Sequence, residues 1–423
     1  MPAAVRRILL VGGAGDMAAV TVRQLLAARP DMSVVLADRD GEKAARRAAT
    51  LGAGRAAATA IDVFDAAALR DAVRGVDLVV NATGPLYRTV APVLAACAAE
   101  RTPYLDFGDD LEAAELALAL DPVVRAAGTV ALIGAGVAPG AVNVAVRALA
   151  AQLEQPSRVQ VAWVTGPTPP TPGEPPGGRA VIEHMLHSCT GVTTTLEAGR
   201  RRTIPAFRRE DVVDFGPPLG PHRVHDIGHA EQATLPRAFP TVHTVRTQGG
   251  LHPAPLNALF QAAGQLVARG ALDWDEVVDA LVGVTPRIPL RLLASALGAV
   301  GRDTLLGRVG PRDLRALAAV LRRDATGSTG GLYVRVDGTR DGQPVALVAR
   351  SAAVQRRGES GMDDVTGGSA AVFADLLLDG RVAGPGVVAP EQAVLPADFV
   401  ASARRLGLAM LLGLFETGVR ITT

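Results

Sequence analysis

The chain has 423 residues, 48% of them hydrophobic and 20% charged, and its 43 basic residues against 42 acidic ones leave a formal charge of +1. That length suggests about two domains with ample apolar material for packed cores, and the balanced charge supplies no field that would recruit nucleic acid or an anionic membrane. Cys97 and Cys189 lie far apart without C-x-x-C spacing, so neither a disulfide framework nor a zinc site is predicted, in keeping with a cytoplasmic protein.

The first element is Ile8 to Ala18, ILLVGGAGDMA, which reads as strand, glycine turn and helix. Arg6 and Arg7 before it imitate a signal peptide, but the glycines and Asp16 interrupt the apolar run. Gly13, Gly15 and Ala18 fit the G-x-G-x-x-G/A dinucleotide fingerprint, in which the helix start faces a pyrophosphate. Ser33 to Ala37 reads as a second buried strand ending at Asp38, where a carboxylate would meet a ribose 2′-OH. Asp38 therefore favours NAD, while the adjacent Arg39 keeps NADP as the alternative.

Strands are then expected at Ala57–Ile61, Asp77–Asn81, Tyr104–Phe107 and Val130–Ile133, with helices between them at Glu42–Leu51, Asp65–Arg74, Val90–Ala99 and Glu112–Ala127. Six βα units in succession predict an α/β fold with a doubly wound parallel sheet, whose ligands bind outside the carboxyl ends of the strands. The cofactor is thus expected along Gly13, Ala14, Gly15, Asp16 and Met17, at Asp38 and Arg39, at Asp62 and Val63, and along Asn81, Ala82, Thr83, Gly84 and Pro85. Asp62 would reach the adenine amino group or merely cap its turn.

From about Ala141 the pattern changes to α+β with mostly antiparallel strands. The uncharged stretch Thr129–Val146 is too broken by glycine and proline to cross a membrane. Gly166–Gly178, GPTPPTPGEPPGG, reads as a surface loop or lid, and Asn257–Arg323 as a helical insertion without the aromatic residues that stack on bases. Asp341-Gly342 predicts a hairpin between Leu332–Val336 and Val345–Ala349, and Phe399–Leu414 an amphipathic helix. The expected division is a dinucleotide-binding domain over 1–140, a second domain over 141–395 with the helical insertion at about 257–325, and a C-terminal helical segment over 396–423.

Several polar residues gather on the same predicted rim. Tyr87 would donate a proton or a hydrogen bond, and Arg88 would pair with a substrate carboxylate or lie at the surface. Asp106, Asp109 and Asp110 would raise one another's pKa and serve proton transfer or attract a cationic amine, although one of Asp109 and Asp110 can equally cap a helix. His229 and Glu231 form a possible acid/base pair and Arg237 a carboxylate anchor, or the three stitch the domains together. His184 and His187 are read as partner-contacting or partly buried, no metal site is predicted, and Cys189 has no evident base.

NATGPLY at Asn81–Tyr87, YLDFGDD at Tyr104–Asp110, GAGVAPG at Gly134–Gly140, GHAEQATLPR at Gly228–Arg237, TGGSAA at Thr366–Ala371 and GVVAPE at Gly386–Glu391 follow the fingerprint in order. Together they resemble the saccharopine dehydrogenase-like family of NAD(P)-dependent oxidoreductases over nearly the whole chain. The resemblance implies a Rossmann domain, an α+β catalytic and dimerisation domain, a final segment returning to the first domain, and a homodimer acting on a small molecule. It also implies hydride transfer at a C–N carbon of an amino-acid-like or polyamine-like substrate, with C=C reduction or non-catalytic dinucleotide binding as alternatives. Saccharopine reductase itself has a basic, hydroxyl-bearing end to the second strand, whereas this chain has VLADRD at Val35–Asp40.

Overall fold

The computed structural model describes residues 5–51, 54–166, 179–282, 288–322, 327–356, 362–416 and 420–422. Its first sheet is parallel and seven-stranded: β1 (Arg6–Val11), β2 (Met32–Asp38), β3 (Ala56–Ala60), β4 (Leu78–Asn81), β5 (Tyr104–Asp106) and β6 (Val130–Leu132), with a late strand at Gly386–Val388 on the edge beside β6. Along β1, Ile8 and Leu10 enter one core and Leu9 and Val11 another. Continuous apolar strands are what a sheet covered on both faces requires. Each buried side chain of this kind contributes about 1.5–3 kcal/mol.

The second sheet contains β7 (Gln155–Thr165), β8 (Val192–Glu197), β9 (Arg200–Pro205), β10 (Glu210–Asp214), β11 (Pro221–Asp226), β12 (Thr244–Leu251), β13 (Gly327–Arg340) and β14 (Gln343–Arg356). With the late strand of the first sheet as β15 (Gly386–Val388), the last is β16 (Arg420–Thr422), which pairs with β14. Among the described residues only β12 and β7 run parallel in this sheet, so it is mixed and mostly antiparallel. The β13–β14 hairpin turns at Asp341 and Gly342, both with positive φ, as the Asp-Gly pair predicts. Its strands extend well beyond the expected ones because each continues its ladder through polar residues.

The structure differs from the expected elements in three places. The helix expected over Glu112–Ala127 is two, Leu111–Ala119 and Asp121–Ala127, because Pro122 belongs in a first helical turn and restarts the helix. The helix expected over Phe399–Leu414 is likewise divided, into Pro396–Arg405 and Ala409–Glu416. The chain re-enters the first domain earlier than residue 396: helix Met362–Leu378 packs on helix Asp16–Ala28, and β15 then joins the sheet, whereas β16 goes to the second sheet. At the helix crossing, a Cβ on Gly367 would come within 2.5 Å of Met17 O, so the contact needs a glycine. The expected loop Gly166–Gly178 lies outside the described residues from 167 onward. Among the described residues, no helix is long and apolar enough to cross a membrane.

Candidate functional site

Parallel register sets the rim. Val11 is level with Asn81, and Asn81 with Asp106, so the segments leaving β1, β4 and β5 emerge side by side at the carboxyl edge. The turn after β1 is made by Gly12, with φ +78, where a Cβ would clash with Ala82 O at 2.6 Å. The tight-turn glycine is therefore one residue ahead of Gly13, the position expected from the fingerprint. Gly13 and Ala14 are buried, and Gly15 has room, since an added Cβ would touch only Gly12 O at 3.4 Å. Helix Asp16–Ala28 follows, and its first backbone amides, at Asp16, Met17 and Ala18, have no acceptor within the helix.

Asp38 stands beside this turn. Its carboxylate accepts from Ala14 N at 3.3 Å and Asp40 N at 3.1 Å, while Arg39 is exposed. Asp16 pairs with Arg47 at 2.6 Å. Asp62 is exposed and accepts from Phe64 N at 3.0 Å, which is a turn-capping bond, and Val63 beside it is buried. At the end of β4, buried Asn81 accepts from Thr83 N and Thr83 Oγ1 and donates to Tyr104 Oη. These bonds fix the Ala82–Thr83–Gly84–Pro85 turn from below. The glycine turn, helix-start amides without helical acceptors and a carboxylate beside them together fit a dinucleotide.

The three aspartates divide into two kinds. Asp106 is buried and accepts from Gly108 N at 2.9 Å, Gly134 N at 2.8 Å and Tyr104 Oη at 2.9 Å, which ties β5 to two turns. Burial pushes its carboxyl up, against those hydrogen bonds. Asp110 occupies the N-cap position of helix Leu111–Ala119 but makes no side-chain capping bond. Its Oδ1 instead meets His184 Nδ1 at 3.2 Å, and Asp109 Oδ2 lies 3.3 Å from His184 Nε2.

His184 comes from helix Arg179–Cys189, together with His187 one turn later on the same face. Burial would lower the His184 pKa, but Asp109 and Asp110 outweigh it and raise it to about 9. Asp109 is raised, first by burial, with His184 pulling the other way. For Asp110, burial raises but the His184 interactions prevail and its carboxyl is lowered. His187 stacks on Tyr87, with ring centroids 5.3 Å apart, and its Nε2 is 3.7 Å from Glu112. Tyr87 is raised by burial and by Asp110, so its phenol stays protonated.

The second domain closes the site through the GHAEQ segment. Ala230 N donates to Asp109 O at 2.9 Å, which locks the His229 loop onto the first domain. His229 is 1% exposed, and its Nδ1 is 2.5 Å from Glu231 Oε2. Burial lowers His229, but Glu231 raises it overall. Behind Glu231, helix Pro390–Ala393 supplies Glu391, which accepts from Asn143 Nδ2 at 2.9 Å and is pushed by burial up to about 7.

The structure thus brings Tyr87, Asp109, Asp110, His229 and Glu231 together, while Asp106 is occupied by backbone. Arg88 is exposed one residue beyond Tyr87, at the edge of the same rim. Arg237 is exposed at the far end of helix Glu231–Ala238, where its charge helps to lower Asp121, and it does not join the group. The sequence analysis read His184 and His187 as partner-contacting or partly buried rather than as site residues, and gave Glu391 no role of its own. A helix offering two histidines on one face was the available signal for the first two, and a lone acid within apolar GVVAPEQAV the signal for the third.

Residues 8–132 match the model of the saccharopine dehydrogenase NADP binding domain. In overall structure the chain is similar to the L-Glu-forming saccharopine dehydrogenase of Saccharomyces cerevisiae, at 17% identity over 99% of both chains and a TM-score of 0.64. Weaker likenesses are to C. glutamicum DAP dehydrogenase in complex with DAP, at 16% identity over 93% of this chain and 95% of that one with a TM-score of 0.44. An engineered D-amino acid dehydrogenase bound to NADP+ matches at 15% identity over the same shares, with a TM-score of 0.42.

Proposed function

We propose that this chain, whose residues 8–132 match the saccharopine dehydrogenase NADP binding domain, is a saccharopine dehydrogenase-like, NAD(P)-dependent oxidoreductase acting at a C–N carbon of an amino-acid-like or polyamine-like substrate. The observation that carries the reading is the convergence of Tyr87, Asp109, Asp110, His184 and His229 on the rim beside the Asn81–Pro85 turn. A non-catalytic dinucleotide-binding protein has no use for that group.

Bound nicotinamide supplies or accepts the hydride. The chain's own residues then have three tasks. The Gly12–Met17 turn and Asp38 orient the dinucleotide so that its reactive end reaches the Asn81–Pro85 turn. Tyr87, a protonated phenol held against His187, donates the proton that the substrate nitrogen needs as the carbon is reduced, and takes it back in the oxidative direction. Asp109 and Asp110 give the site negative charge that attracts a cationic amine, and exposed Arg88 is placed to meet a carboxylate.

The test is a panel of amino acids, diamines and keto acid plus amine pairs, followed by nicotinamide absorbance. Turnover of an amine or imine substrate is the expected result. Turnover of an enoyl substrate alone would overturn the C–N assignment, and tight dinucleotide binding with no turnover on either panel would overturn the enzymatic reading.

A further inference from the structure

We propose that Asp109, His184 and His229 form a binding site for a divalent transition-metal cation of the zinc class. One donor atom from each of the three lies within 4.8 Å of the others. The His184 Nε2 to Asp109 Oδ2 separation is 3.3 Å. With metal–ligand bonds of about 2.0–2.1 Å, neighbouring ligand atoms of a tetrahedral sphere sit roughly 3.3 Å apart, so this edge already has metal-site dimensions.

The surroundings of both imidazoles point the same way. An imidazole that binds a metal through one nitrogen characteristically gives its other N–H to a carboxylate, which fixes tautomer and ring orientation. His229 Nδ1 is held by Glu231 at 2.5 Å, and His184 Nδ1 by Asp110 at 3.2 Å. Each histidine therefore has a carboxylate behind its Nδ1; His184 Nε2, 3.5 Å from Ser188 Oγ, is the nitrogen that faces Asp109. His229 is 1% exposed and holds its Nδ1 against Glu231, whose other oxygen, Oε1, is buried without a hydrogen-bond partner among the described residues.

Charge and scaffold agree with that geometry. Three carboxylates, Asp109, Asp110 and Glu231, surround two imidazoles, which leaves a deficit of positive charge in a largely buried place. A divalent cation fills it directly. The donors sit on a helix, on a helix start and on a loop joined to that start by the Ala230–Asp109 backbone bond. Three protein ligands leave a coordination position open, the count found at catalytic rather than structural zinc. No sequence spacing announces this site, because its ligands come from residues 109, 184 and 229.

The inference stands apart from the hydride-transfer reading, since metal content reports it whether or not nicotinamide is consumed. The full chain, purified without chelator, is analysed for metal. After stripping, it is titrated with Zn2+ alone and with Co2+ as a visible-absorption probe. One equivalent of zinc per chain and tetrahedral-type cobalt bands are expected, with both lost in His184→Gln and His229→Gln. Glu231→Gln, which keeps all three ligands, should weaken zinc binding roughly 10–100-fold. His222→Gln, outside the group, should bind as the parent does, and circular dichroism checks that each variant is folded. No stoichiometric binding by the parent, or equal binding by folded His184→Gln and His229→Gln, overturns the proposal. Nicotinamide turnover by zinc-free parent protein would refute only a catalytic need for the metal, whereas zinc binding without turnover would refute only the oxidoreductase reading.

Discussion

Asp106 and Asp110 stand four residues apart, both buried, yet they are held in opposite ways. Asp106 meets two backbone amides and a tyrosine hydroxyl, none of which changes charge near neutral pH. Asp110 meets a histidine and lies beside another carboxylate. The first arrangement is a fastening and the second an adjustable charge. The difference shows that carboxylates clustered in sequence take their role from what the fold sets opposite them. The largest expected effect separates the two. Asp106→Ala leaves the Gly108 and Gly134 amides and the Tyr104 hydroxyl without an acceptor and should cost about 4 kcal/mol of stability. Asp110→Asn, which keeps a polar group facing His184 and removes only the charge, should cost about 1–2 kcal/mol. Urea unfolding of both variants checks this, and equal losses would erase the distinction.

Glu391 extends the comparison to a third buried acid, lacking the double amide clasp of Asp106. Its folded pKa of about 7 exceeds the ordinary value of 4.5, so the folded chain holds this proton longer than the unfolded chain does. Its favourable contribution is complete below about pH 4.5 and disappears as pH rises through about 7, a change of about 3 kcal/mol. Glu391→Gln keeps a polar group for Asn143 but removes the titration. Relative to this variant, the parent should therefore lose stability between pH 5 and pH 8, as measured by urea midpoints at a series of pH values. Parallel curves would show that Glu391 is ionised at no cost.

Tyr87 belongs to the adjustable side. Tyr87→Phe preserves the ring that stacks on His187 but removes the proton donor, so turnover should fall by about 100-fold with little change in substrate KM or stability. An unchanged rate would move the proton to another group on the rim. Asp106→Ala provides the contrast, since its loss should appear first in stability.

The fastened parts were the more legible ones. Apolar runs on β1, β2 and β4, the glycine turn and Asp38 are local signals, and each is explained by residues within about one βα unit. Asp106 looked like a member of a proton-handling cluster because its real partners, Gly108, Gly134 and Tyr104, include a backbone amide 28 residues away. His184 had no visible role because it acquires one only when a helix of the second domain is laid against Asp109 and Asp110. TGGSAA was recognisable as a motif, but its physical reason, the close crossing of Gly367 over Met17, depends on long-range contact of the kind made by the Thr21–Gly367 bond, 346 residues apart. Arg237 shows the converse error: nine residues of sequence proximity to His229 implied a shared site, and one helix carried it to the surface.

The smallest expected effect tests the most legible region. Asp38 is tied to Ala14 N and Asp40 N, so its carboxylate is fixed beside the turn rather than free to swing away from an added phosphate. A ribose 2′-OH can donate to it, whereas a 2′-phosphate would be repelled. Exposed Arg39 opposes that preference, since a guanidinium can swing toward phosphate. The backbone clasp makes the carboxylate the better-positioned of the two, so NADH should bind more tightly than NADPH, by about tenfold or about 1.4 kcal/mol. Fluorescence titration of both cofactors measures the ratio. Asp38→Ala should narrow it and Arg39→Ala should widen it; tenfold tighter NADPH binding by the parent would mean that Arg39, not the clasped carboxylate, reads the ribose.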